Sequence, residues 1–164
     1  MKIKRYSPII IIIISILFLF AIKDKFIINP SKSLTRGIYK KIEIDSIKTG
    51  DIVCFKIPKN IELLAKKRKY ILEDANTLMK IVAATNRDKV SVVDDELYIN
   101  NISWGKISYY DSYNRQLYPV QDLQPLQDDE YLLLSKVKKS FDGRYIGLIK
   151  RKDILFKTEL LLKF

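Results

Sequence analysis

Leu78-Met79-Lys80-Ile81-Val82-Ala83-Ala84 is an apolar stretch with one lysine near its head. It reads as a strand, and a lysine at the start of a buried strand has its ammonium drawn out of water. Desolvation disfavours the charged form, lowers the pKa and leaves some neutral amine near pH 7. Such an amine can accept the proton of a serine hydroxyl, so Lys80 is a candidate general base for acyl transfer.

The stretches on either side have the same character. Upstream, Ile38–Ile44 alternates Ile-Tyr-Lys-Lys-Ile-Glu-Ile, a strand signal. A turn at Thr49-Gly50-Asp51 leads to a second strand, Ile52–Ile57, which Pro58 stops. Residues 61–72 carry apolar side chains at 61, 63, 64, 65, 71 and 72 around a basic run, and this spacing predicts a modest amphipathic helix. Downstream, Val90–Val93 and Leu97–Asn100 form the arms of a hairpin turning at Asp94-Asp95-Glu96, and the proline-containing Tyr109–Gln127 reads as loop. Tyr131–Leu134, Tyr145–Ile149 and Ile154–Phe156 complete the strands. Short strands with turns between them and no βαβ rhythm predict a mostly β domain built on a bent antiparallel sheet.

The chain has 164 residues, enough for one core. It contains no histidine and a single cysteine, Cys54. Ser-His-Asp and Cys-His catalysis, His-ligated zinc, an intrachain disulfide and a thiolate metal cage are therefore excluded. Proton chemistry must use Lys, Asp, Glu or Tyr, and no metal or other cofactor is expected. Cys54 reads as a small core residue, and Trp104 and Tyr109-Tyr110 as packing or membrane-facing surface.

At the N-terminus, Lys2, Lys4 and Arg5 precede six consecutive isoleucines, Ile9–Ile14, and a further apolar run to Ile22. The expectation is a cytoplasmic basic segment over 1–5, a transmembrane anchor over 6–23 and an extracytoplasmic domain over 24–164, oriented by the positive-inside rule. A cleaved secretory signal is the rival reading, disfavoured because no A-x-A-like site follows. The formal net charge is +11. That charge reads either as contact with anionic headgroups or as an ordinary solvated surface, and nucleic acid is not an expected partner.

Several blocks in order resemble the type I signal peptidase family, with its serine/lysine dyad, and within it the conjugative-transfer, TraF-like branch. Ser31-Lys32-Ser33-Leu34-Thr35-Arg36-Gly37-Ile38-Tyr39 is similar to the nucleophile block S-x-S-[ML]-P-x-G-[LI]-Y. Leu78–Ala84 is similar to the block of the general-base lysine, with Asp88-Lys89-Val90 near its G-D-x-V ending. Residues 111–119, containing Arg115-Gln116-Leu117-Tyr118-Pro119, resemble the branch's D-x-x-G-R-x-L-P stretch. Ser140-Phe141-Asp142-Gly143-Arg144-Tyr145-Ile146-Gly147 resembles S-x-D-S-R-Y-[FW]-G.

The resemblance implies that Ser33 is the acylated nucleophile and Lys80 its base. Ser31 would assist the oxyanion hole, Ser140 would orient the lysine, and Asp142 and Arg144 would form a buried bracing pair. It further implies a membrane-bound serine endopeptidase at the bacterial inner membrane, active on its periplasmic or outer face. Its partners would be an exported precursor such as a conjugative pilin, the lipid bilayer and type IV secretion components, and its acyl-enzyme would be resolved by water or by an amine that closes a ring. The alternatives are a housekeeping signal peptidase I, a self-cleaving regulator of the same fold, and a non-catalytic secretion-complex assembly protein. Thr35 stands where the family has Pro, Gly143 where it has Ser, and Arg87 where it has Gly. Gly37 reads as a turn glycine needing positive φ.

Overall fold

A computed structural model describes residues 7–164, so the expected basic segment over 1–5 lies outside the described residues. The apolar run forms one helix, α1 (Ser7–Ile22). Its 16 residues rise about 24 Å, short of the roughly 30 Å of a bilayer's hydrocarbon core. Among the described residues no helix is long and apolar enough to cross a membrane. The transmembrane helix expected over 6–23 is therefore not found among the described residues, and Tyr6, where that span begins, lies outside them. Helix α1 gives way at Lys23–Lys25 to a single 3₁₀ turn, and a strand begins at Phe26. Ile9–Ile14 are all at least half exposed on the isolated chain.

The remaining chain is mostly β. A seven-stranded antiparallel sheet contains β1 (Phe26–Asn29), β2 (Gly37–Ile42), β3 (Ile52–Lys56), β4 (Thr77–Ala84), β8 (Glu130–Leu134), β9 (Ile149–Lys150) and β10 (Ile154–Lys163). Its spatial order is β1-β2-β10-β3-β4-β8-β9. The long β10 is inserted between β2 and β3, so the last strand locks the first half of the sheet together. A smaller antiparallel sheet holds β5 (Val90–Val93), β6 (Glu96–Ile99) and β7 (Ile102–Lys106).

The small sheet is folded by its turn residues. Asp94 and Asp95 both have positive φ between β5 and β6, and Asn100 and Asn101 do the same between β6 and β7. Two consecutive residues of that hand match the twist of the flanking strands, and Asp and Asn tolerate it best after glycine. Helix α2 (Lys59–Lys67) buries Ala65 and ends where Lys69 turns left-handed at φ 59°.

Two apolar clusters cover the two faces of β4 and β8. Ala83, Ala84, Leu132 and Leu134 pack with Val90, Leu97 and Ile99 of the small sheet. Val82 and Leu133 pack with Val53, Phe55, Ile146, Ile149 and Ile154 on the opposite face. Burial on both sides explains why Leu132-Leu133-Leu134 is continuously apolar rather than alternating.

The sequence reading of Tyr145–Ile149 as a strand is corrected. Residues Gly143–Ile146 form a short helix, α3, whose first turn is capped by the Asp142 carboxylate accepting from the Arg144 N–H at 3.2 Å. Gly147 at φ 89° then redirects the chain into β9.

Candidate active site

Ser33 lies in the arch between β1 and β2, at the edge of the large sheet. The arch is tied from within. Buried Asn29 donates its amide to the carbonyls of Ser31 and Thr35 at 3.2 and 3.1 Å, and its Oδ1 accepts from the Ser31 N–H at 3.1 Å. The Tyr39 hydroxyl donates to the Thr35 carbonyl at 2.7 Å. These bonds replace the stiffness that a proline at position 35 would supply by fixing φ. Ser31 Oγ lies 2.9 Å from Ser33 Oγ and accepts the Ser33 N–H at 3.1 Å.

Gly37 ends the arch, and its φ is not positive. A Cβ there would collide with the Leu162 carbonyl oxygen of β10. The glycine serves close strand approach, not a left-handed turn.

Lys80 is buried in β4, opposite Val53 of β3. Its Nζ donates to Ser140 Oγ at 3.1 Å. Burial pulls its pKa from 10.5 to about 8, opposed by nearby Asp142 and reinforced by Arg144. Roughly a tenth of such a lysine is neutral at pH 7.

Asp142 and Arg144 form a pair at 2.7 Å, each almost wholly buried. Burial pushes the Asp142 carboxyl up, while Arg144 and the N–H of Ser135 favour the carboxylate. Arg144 also donates to the Trp104 carbonyl, fixing the small sheet to the pair.

Ser135, which the sequence reading did not single out, joins these parts. It is fully buried, its N–H donates to Asp142 Oδ2 at 3.0 Å, and its hydroxyl donates to the Ser33 carbonyl at 2.5 Å. The one signal available in sequence was a hydroxyl directly terminating the buried Leu132-Leu133-Leu134 run.

The fold thus brings Ser31, Ser33, Ser140, Lys80, Asp142 and Arg144 into one neighbourhood. It forms no direct hydrogen bond between Ser33 and Lys80. The Ser33 hydroxyl is engaged by Ser31, and the Lys80 amine by Ser140. Beside the arch is a cavity of about 630 Å³, whose lining includes Ser31, Ser33, Cys54, Tyr70, Leu78 and Met79. Burial raises the Cys54 thiol, as expected of a core residue.

The family model for signal peptidase, peptidase S26, matches residues 3–162. A plasmid transfer protein TraF from Escherichia coli is 32% identical over 138 residues, covering 78% of this chain and 77% of that protein. A signal peptidase I from Enterococcus faecalis V583 is a structural neighbour at a TM-score of 0.43 and 21% identity, covering 70% of this chain and 98% of the other. With a family model spanning nearly its whole length and a relative at this level of identity, the chain belongs to the signal peptidase family, peptidase S26, and is similar to its TraF-like members.

Proposed function

We propose that this protein is a membrane-anchored serine endopeptidase with a Ser33/Lys80 dyad, processing exported precursors such as a conjugative pilin. The observation that carries the reading is the lysine. Its buried amine is held at a pKa of about 8, donates to Ser140, and lies near Asp142, which Ser135 links to the Ser33 arch.

In this mechanism the Ser33 hydroxyl leaves Ser31 and passes its proton to neutral Lys80 as its oxygen attacks the scissile carbonyl. The Ser33 N–H, released from Ser31 Oγ by the same rearrangement, donates to the developing oxyanion. A donor of this kind is typically worth about 10²–10³ in rate. Breakdown of the tetrahedral intermediate cleaves the C–N bond, and protonated Lys80 returns its proton to the leaving amine. The acyl-enzyme is then resolved by water, giving hydrolysis, or by a substrate amine, giving ring closure.

Membrane attachment rests on α1 and on the apolar tip of β10. Leu161, Leu162 and Phe164 are well exposed, and the Phe164 N–H donates to the Arg36 carbonyl of the arch at 3.3 Å. An apolar tip beside the nucleophile arch suits a site working at a bilayer surface, with α1 seated in the lipid. The proposed setting is the outer face of a bacterial inner membrane, beside a type IV secretion apparatus.

Co-expression with candidate pilin precursors tests the reading. Intact pilin mass is compared for the wild type, Ser33→Ala and Lys80→Ala. A mature or cyclised mass produced only by wild type supports the dyad, and the mass separates hydrolysis from ring closure. Processing by both variants at the wild-type rate overturns it.

A further inference from the structure

On the lysine side of the site, two further cavities adjoin. One, of about 290 Å³, is lined by Tyr70, Phe141, Tyr145, Leu117 and by Ser140, the residue that holds Lys80. Its aromatic wall is ordered. The Tyr70 and Phe141 ring centroids lie 4.9 Å apart, and Phe141 stacks on Tyr145 at 5.9 Å. The second, of about 890 Å³, runs along the small sheet past Trp104 and is lined by Lys106, Lys136, Lys138 and Lys139, with Glu96 as its one acidic lining residue. Lys136 Nζ sits 5.8 Å above the Trp104 ring. Ser108, Lys138 and Lys139 line both cavities, so they form one groove, aromatic at the Ser140 end, where the lining carboxylate of Asp111 is held by Tyr70 and Arg115, and strongly basic beyond.

We infer that this groove is the binding site for the substrate segment on the carboxyl side of the scissile bond, and that it selects segments beginning with an aromatic or large apolar residue and continuing with acidic ones. The inference rests on the dyad proposed above. The leaving amine must come within reach of Lys80 to take back its proton, so the chain beyond the cleaved bond passes Ser140, where the groove starts. The arch cavity containing Ser33 is left for the acyl side. In the basic part four lysines face Glu96 alone, while Asp111 at the other end is paired with Arg115, and this sets the charge preference, chiefly through binding. Trp104, read from sequence as packing or membrane-facing surface, becomes part of the groove wall.

Trp104 is the chain's single tryptophan, so its fluorescence reads the groove without turnover. The first probe is a synthetic peptide with an N-terminal phenylalanine followed by glutamates, titrated into full-length Ser33→Ala protein in neutral detergent. It should shift Trp104 emission saturably. A glutamine version should bind at least about tenfold more weakly, and the K136E/K138E/K139E variant should lose the preference for glutamate. Equal binding of both peptides, or a shift produced only by phosphatidylglycerol vesicles, overturns the proposal. The second arm follows cleavage of precursor peptides whose leaving segments carry glutamate, glutamine or lysine. KM should rise in that order for the wild type and reverse for the triple variant, with kcat little changed. Product formed at equal kcat/KM from all three overturns the groove and leaves the dyad standing. No product from any of them overturns the dyad reading and this proposal together.

Discussion

The Ser135 hydroxyl donates to the Ser33 carbonyl across 102 residues of chain, while the Ser135 N–H holds Asp142. One small buried side chain therefore ties the edge arch to the segment that follows β8, and the placement of Ser33 relative to Asp142, the neighbour of Lys80, depends on it. Ser135→Ala should lower kcat about tenfold with little change in KM and only a small shift in Tm, since a lost hydrogen bond typically costs about 1 kcal/mol. Single-turnover processing and a thermal melt measure the two effects together. A wild-type kcat would show that the arch is placed without it.

The processing rate should rise with pH through a midpoint near 8, because the proposed base works only as the neutral amine. The stability effect has a defined sign. The folded pKa of about 8 lies below the unfolded value of 10.5, so the native state disfavours charged Lys80. That penalty, about 3 kcal/mol, is fully present below pH 8 and is relieved as pH rises to 10.5. Lys80→Met should therefore be more stable than wild type at pH 7, and the advantage should fade toward pH 10.5. Denaturant titrations at three pH values read the difference directly.

Gly143→Ser, which restores the residue common in the family, should destabilise this protein. A Cβ at 143 would lie 2.8 Å from the Leu133 carbonyl oxygen and 2.7 Å from Leu132 Cδ1. The backbone contact cannot be relieved by a rotamer change, so the expected cost is about 1–3 kcal/mol. A Tm at or above that of wild type would contradict this packing.

Breaking the Asp142–Arg144 pair from one side should be severe. Arg144→Met leaves a buried carboxylate beside Lys80 and removes the bond to the Trp104 carbonyl, for an expected loss of about 3–5 kcal/mol. It also removes a cation near Lys80, so any residual activity should titrate at a higher pH than in wild type. An unchanged pH midpoint would argue that Arg144 exerts no influence on the base.

The features legible in sequence are those set by local pattern. Lys80 at the head of an apolar strand, the hairpin at Asp94-Asp95 and the antiparallel class all follow from short-range signals. The misreadings involve distant partners. Strand β1 was hidden because Phe26-Ile27-Ile28 continues the apolar character of α1, although three charged residues lie between them. Strand β7 contains Gly105 and has no buried side chain, so it pairs without a hydrophobic signature. Tyr145–Ile149 has strand-like residues, but the Asp142 cap and its bonds turn them into α3. The role of Gly37 depends on β10, more than a hundred residues later. Ser135 resembles any polar residue after a strand until the register brings the arch onto it.

The position of the arch at the sheet edge has a further consequence. Strand β1 pairs with one neighbour only, whereas β4 lies between two strands with an apolar cluster on each face. Local opening free energies follow such differences, from near zero at frayed edges to the global value in the centre. Mild denaturant should release the β1–β2 arch while β4 stays protected, so turnover fails before the circular dichroism signal does. In hydrogen exchange, the amides around residues 26–37 should exchange well ahead of those at 80–84. This enzyme should be lost first as a catalyst and only later as a fold.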